Sequence, residues 1–168
     1  RMASDNDPGQ GIRRAVYGYI AVGSRSEDGT PDVMTATWGM QVSFEPRVYA
    51  VAIQEDSHTA ANVGATGAFS VNFMPGGTHD LALKLATHST SGAGRLEGEE
   101  ISYFETDTPV LGRAVGWIEC RVVDSARPGD HTVFFGEVVG GGEGPSEGEA
   151  APLATIDLSY AGETTPTP

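Results

Sequence analysis

Two short runs hold most of the side chains that could act on a small ligand. Thr35-Ala36-Thr37-Trp38-Gly39-Met40 ends a strand-like segment with small residues and hydroxyls. That composition lets a planar ligand approach backbone N–H groups while the Trp38 indole supplies an apolar wall. Further along, Ser57-His58-Thr59 stands before the helix-like Ala60-Ala61-Asn62-Val63, where unpaired N–H groups, two hydroxyls and an imidazole can hold a phosphate. A planar ring and a phosphate together describe flavin mononucleotide (FMN). A plainer reading stands beside it. Ser-x-Thr before a helix is a capping pattern, and Trp38 serves equally well as a core or interface aromatic.

Other chemistries are excluded by what the chain lacks. It carries no GxxxxGK[ST] phosphate loop, no GxSxG elbow, no HExxH and no GxGxxG between a strand and a helix. The histidines, at 58, 79, 88 and 131, show no close ligand spacing, so no metal is expected. His79 and His88 read as surface residues. Ser57 and His58 are adjacent and cannot aim at one another as a dyad. The lone Cys120 rules out an intramolecular disulfide. In Ile118-Glu119-Cys120-Arg121-Val122 it alternates inward with Ile118 and Val122, as a buried structural thiol would. With 10 basic against 23 acidic side chains the net charge is -13, a field that repels nucleic-acid backbones and anionic membranes. Residues 1–96 carry 7 basic and 9 acidic side chains and residues 97–168 carry 3 and 14, so a small anionic ligand is better received by the first part. No apolar run is long enough to span a bilayer and no signal-peptide pattern appears, which gives the expectation of a soluble, cytoplasmic protein.

The elements that must position these residues are mainly β. Period-two apolar patterns predict strands near Ala15–Gly23, Val33–Val42, Arg47–Ile53, Phe69–Met74, Ala114–Val123, His131–Gly140 and Leu153–Ser159. Turn chemistry separates them at Glu27-Asp28-Gly29-Thr30-Pro31, Phe44-Glu45-Pro46, Pro75-Gly76-Gly77 and Arg127-Pro128-Gly129-Asp130. Two short helices are expected, one after Ser57-His58-Thr59 and one over Leu81–Ala86 after Thr78-His79-Asp80. Residues 140–150 read as a solvated acidic loop, and the ends 1–10 and 163–168 as frayed. A chain of 168 residues with this pattern is one domain, either a closed antiparallel barrel or a sandwich.

The residues also carry a resemblance. The run Thr35 to Pro46, then Val51-Ala52-Ile53, Ser57 to Val63 and Thr66-Gly67-Ala68-Phe69-Ser70-Val71-Asn72 resembles the flavin reductase-like FMN-binding family in order and spacing. Glu119-Cys120-Arg121-Val122 and Gly129-Asp130-His131-Thr132-Val133-Phe134-Phe135-Gly136-Glu137-Val138 are similar to that family's C-terminal half. The resemblance covers about residues 14–160. It implies an antiparallel Greek-key split β-barrel with a few short helices. It implies a homodimer with FMN near the subunit interface, reduced by NADH or NADPH. Carried over, Thr35, Ala36, Thr37 and Trp38 would meet the isoalloxazine and ribityl chain, and Ser57, His58 and Thr59 the phosphate. Asn72 would line the same pocket and His131 would face the nicotinamide side. Lys84 and Arg95 are candidates to neutralise the phosphate, or else solvated charges. Two segments depart from the family pattern: Ala154 to Tyr160 lacks its aromatic and basic ending, and Ser89 to Leu96 keeps only Arg95-Leu96 of its Arg-Phe pair. The implied activity is an NAD(P)H:flavin oxidoreductase that could supply reduced flavin to a monooxygenase. The rivals are an FMN electron-transfer protein or ferric reductase and a non-catalytic flavin-binding dimer.

Overall fold

The structure, a computed structural model, describes residue 12, residues 14–87 and residues 92–150. In chain order the elements are β1 (Ile20–Arg25), β2 (Pro31–Ala36), β3 (Gly39–Phe44), β4 (Arg47–Gln54), α1 (His58–Thr66), β5 (Ala68–Phe73), α2 (His79–Ala86), a 3-10 turn (Gly92–Leu96), β6 (Ile101–Ser102), β7 (Val110–Leu111), β8 (Gly116–Ala126) and β9 (His131–Glu143). Seven strands form one sheet in the order β2-β1-β5-β8-β9-β4-β3, and β6 and β7 make a separate small hairpin. Every pairing is antiparallel.

The strand order forces a barrel. β2 and β3 lie at opposite ends of the sheet, yet only Thr37 and Trp38 separate them in the chain. Such a link spans at most about 11 Å, so the sheet must curl until its two edges meet. Gly39 records that approach: a Cβ added there would lie 2.9 Å from Cδ1 of Ile20, on β1. No ladder joins β2 to β3, so the barrel is split along this seam, as the resemblance implies.

Two apolar clusters hold the barrel together. Ile20, Val22, Tyr49, Val51, Ile53, Phe69, Val71, Cys120 and Phe134 form the first, which α1 joins through Ala60 and Val63. Tyr19, Ala21, Val33, Met74, Leu111 and Ala114 form the second, covered by Leu81, Ala82 and Leu85 of α2. Each Val, Leu, Ile, Phe or Met side chain among them contributes about 1.5–3 kcal/mol by leaving water. β1 sends alternate residues to the two clusters and so is buried on both faces. α1 starts at His58, two residues ahead of the predicted Ala60, with Ser57 as its cap. Ser57 Oγ accepts from Ala60 N–H at 3.1 Å, and Gly67 ends the helix at φ 68°, donating to Val63 O, a conformation glycine adopts without a Cβ penalty.

Several expectations need correction. The strand predicted over Val33–Val42 is broken at Thr37-Trp38, because those residues turn the chain across the seam. The first strand begins at Ile20, not Ala15. Residues 140–143 belong to β9, not to a loop: Gly140, Gly141 and Gly142 pair with Glu119, Ile118 and Trp117. Glycines carry no strand signal of their own, and β8 imposes the register. Cys120 is buried as expected, but a bulge between Glu119 and Cys120 breaks the simple alternation, and Glu119 is buried too. The β6/β7 hairpin and the 3-10 turn were not anticipated. The predicted strand at Leu153–Ser159, His88, the Ala154 to Tyr160 departure and the chain ends lie outside the described residues.

Candidate functional site

One rim of the barrel gathers the chemistry. Its ladder is set by β4 and β9, where Gln54 pairs with His131, and the β3/β4 pairing is extended by Ala52 N–H donating to Trp38 O at 2.8 Å. That register brings the Trp38 indole and the His131 imidazole together, with ring centroids 4.7 Å apart at 44°. Tyr17 flanks Trp38 on another side at 6.4 Å. Trp38 is 46% exposed, a large aromatic face left to solvent at the seam. His131 Nδ1 lies 2.7 Å from Asp130 Oδ1, which fixes the ring by one nitrogen and leaves Nε2 for a ligand. The same bond holds the Asp130 carboxyl below the ordinary carboxylate range. The turn into α1 is stitched to this rim. Glu55 N–H donates to Asp130 O at 3.0 Å, Glu55 pairs with Arg127, and Ser57 Oγ donates to Gln54 O at 2.6 Å.

The remaining candidates divide into two groups. Thr37, half-buried, and Trp38 form the seam link, while Ser57 and the exposed His58 open α1. Thr35, Ala36, Thr59 and Asn72 are buried. Thr35 Oγ1 donates to Ala82 O at 2.7 Å, tying β2 to α2. Thr59 Oγ1 donates to Asp32 Oδ2 at 3.1 Å. Asn72 donates to Ala21 O at 3.1 Å and accepts from Leu111 N–H at 2.8 Å, so its amide holds the β6/β7 hairpin. Lys84 reaches Glu97 O at 2.6 Å and Glu99 at 3.3 Å. Arg95 binds Asp32 at 2.6 Å and the carbonyls of Leu85 and Thr87 at 3.3 and 3.0 Å. Each of these five polar side chains therefore has a partner inside the protein. Asp32 and Tyr17 were not singled out in the sequence. Asp32 stands in a Thr-Pro-Asp turn pattern, which hides a buried role.

The exposed donor set suits a flavin. Trp38 offers a flat apolar face. The first turn of α1 carries no acidic residue, and its His58 and Thr59 N–H groups precede any intrahelical acceptor. Cys120, the chain's one cysteine, is buried in the barrel core away from this rim, where burial raises its thiol pKa. A separate cleft of about 230 Å³, lined by Ser102, Phe104, Trp117 and Glu143, lies toward the opposite end of β9 and holds none of these groups.

Known proteins with the same pattern support the architecture. The NADH flavin reductase of Kitasatospora aureofaciens is 30% identical over 145 residues, covering 86% of this chain and 74% of its own length. Diflavin flavoprotein A 1 of Synechocystis is 26% identical over 149 residues, covering 88% of this chain but 26% of its own. This chain thus spans about a quarter of the longer curated relatives it matches. Among solved structures, the NADH:FAD oxidoreductase SgcE6 of Streptomyces globisporus, in complex with NAD and FAD fragments, superposes with a TM-score of 0.73 at 25% identity, covering 85% of this chain and 88% of that one. The FMN-binding protein of Thermus thermophilus gives 0.69 at 27% identity, covering 77% and 72%. The seam, the rim and the α1 start all fall within residues 12–164, which match the flavin reductase like domain, and the chain belongs to that family.

Proposed function

We propose that this chain is an NAD(P)H-dependent flavin reductase that takes FMN at the Trp38/His131 rim. The observation that carries the proposal is the convergence of an exposed indole, an imidazole anchored through one nitrogen and a helix whose first turn holds no acidic side chain, at one end of a split barrel. When bound, the flavin supplies the hydride acceptor, and the protein supplies placement. Trp38 and the Thr37 backbone would wall the ring. Ser57, the His58 imidazole and the first N–H groups of α1 would meet the phosphate. His131 Nε2 would orient the nicotinamide carboxamide, with Asp130 fixing the ring that presents it. A second copy of the chain would complete the wall over the rim, and reduced flavin could pass to a monooxygenase. Likeness to NADH-named relatives favours NADH as donor.

The test is steady-state oxidation of NADH and NADPH with added FMN or FAD. Turnover that depends on added flavin supports the proposal, and no consumption under any condition overturns it. The match to one quarter of a diflavin flavoprotein favours a second reading, an electron-transfer module. That reading requires flavin to stay bound through gel filtration and to be reduced by a protein donor rather than by NAD(P)H.

A further inference from the structure

We propose that Asp32 is a positioning residue for phosphate recognition; this rests on the phosphate being held at the start of α1. Asp32 lies on β2 with its side chain 3% exposed, and its two oxygens serve two elements. Oδ2 accepts from Thr59 Oγ1 at 3.1 Å, in the first turn of α1. Oδ1 accepts from Arg95 Nη2 at 2.6 Å. Arg95 is itself 10% exposed, its Nη1 spans the carbonyls of Leu85 and Thr87 at the end of α2, and its Nε has no partner among the described residues. One buried carboxylate therefore ties the start of α1 to the strand that leads, through Ala36, directly into Thr37 and Trp38. FMN must touch both places at once, its ring at the seam and its phosphate at α1. The Asp32–Thr59 bond sets the separation between them. Arg95 neutralises the carboxylate, so the tether adds no net negative charge beside an anionic ligand.

Riboflavin, which lacks the phosphate, uses only the seam. The tether should therefore show in the preference for FMN over riboflavin, measured by quenching of flavin fluorescence on the intact chain. Asp32→Ala removes both acceptor oxygens and breaks the tether, whereas Asp32→Asn would keep it, the amide oxygen accepting from Arg95 and the N–H₂ donating to the Thr59 hydroxyl. Asp32→Ala should cut the FMN-over-riboflavin affinity ratio about tenfold, with riboflavin binding within about twofold of the parent. Thr59→Val leaves the Asp32–Arg95 pair intact and should lower the ratio by a similar factor, so it carries the test if Asp32→Ala fails to fold. Thr59→Ser, which keeps the hydroxyl, should retain the ratio. The double variant Asp32→Ala/Thr59→Val should be no worse than either single change. An unchanged ratio in folded Asp32→Ala or in Thr59→Val overturns the proposal while leaving the phosphate site standing. A parent protein with no preference for FMN over riboflavin overturns the phosphate site and the tether with it.

Discussion

His131 illustrates how little a single side chain must do at this rim. Its Nδ1 is held by Asp130 and its face by Trp38, so His131→Ala removes one oriented donor or acceptor and leaves the indole wall in place. The expected result is a raised KM for NAD(P)H, or slower flavin reduction at subsaturating NAD(P)H, with FMN affinity nearly unchanged. Unchanged stopped-flow reduction would give His131 a structural role only. Away from the rim, the Arg113 fork grips Asp80 at 2.8 and 3.0 Å and holds its carboxyl at about 2. A carboxyl depressed on folding stabilises above its unfolded pKa of about 3.9, and that stabilisation is lost as the pH falls toward about 2. Asp80 is 72% exposed, so the pair is worth less than about 1 kcal/mol. The small stability gap between the parent and Asp80→Asn should close over that window in acid titrations. The sequence made Trp38, Ser57 and His131 legible because an aromatic, a cap and a turn have local signatures. It could not separate Ser57, at the accessible start of α1, from Thr59, turned inward to Asp32, because a hydroxyl looks the same whether its partner is a ligand or a carboxylate brought from β2.

Among the elements, β9, a strand of 13 residues, pairs with β4 and β8 at once. Gly136 is where it crosses the interior: a Cβ there would meet Cys120 Cβ and the Phe69 ring at 2.6 Å. Phe69 is fully buried and cannot step aside. Gly136→Ala should destabilise the protein by about 1–3 kcal/mol through overpacking, read as a lower midpoint in urea with the slope unchanged. A midpoint equal to the parent's would mean that β8 and β9 can part at no cost. β5 was visible as alternation of Phe69 and Val71 with Ser70 and Asn72, although all four are buried. β1 gave a blurred start because the apolar Ala15, Val16 and Tyr17 run straight into it, and the end of β9 was invisible because glycine has no pattern to alternate. Bulges such as that at Glu119 leave no mark in a single sequence, since they arise when two strands of unequal path must stay in register.

At the scale of the whole molecule, the barrel leaves its β2/β3 seam without a ladder and β3 as an exposed edge. β3 is terminal in the sheet and presents Met40, Val42 and Phe44 at 65%, 43% and 85% exposure. A bulge between Gln41 and Ser43 breaks the alternation, so these residues are exposed along one edge strand without lining up on a single face. Exposed apolar side chains on an open edge are a surface that water disfavours, and a second copy of the same edge would cover them across a two-fold axis while walling the adjacent rim. The dimer was implied by the resemblance alone, since nothing in residues 38–44 tells a buried strand from one buried by a partner. Phe44→Glu would set a carboxylate against its own symmetry mate in a chain whose net charge is already -13. On the proposed dimer, sedimentation should then show a smaller species than the parent at equal concentration, and FMN affinity should fall in parallel as the second wall is lost. Salt supplies a control with a defined sign. Raising ionic strength shortens the screening length from about 10 Å at 0.1 M to about 3 Å at 1 M, so salt should strengthen the parent dimer and recover part of the Phe44→Glu association. A parent that sediments as a monomer and still binds FMN tightly would mean that the exposed edge does not complete the flavin site.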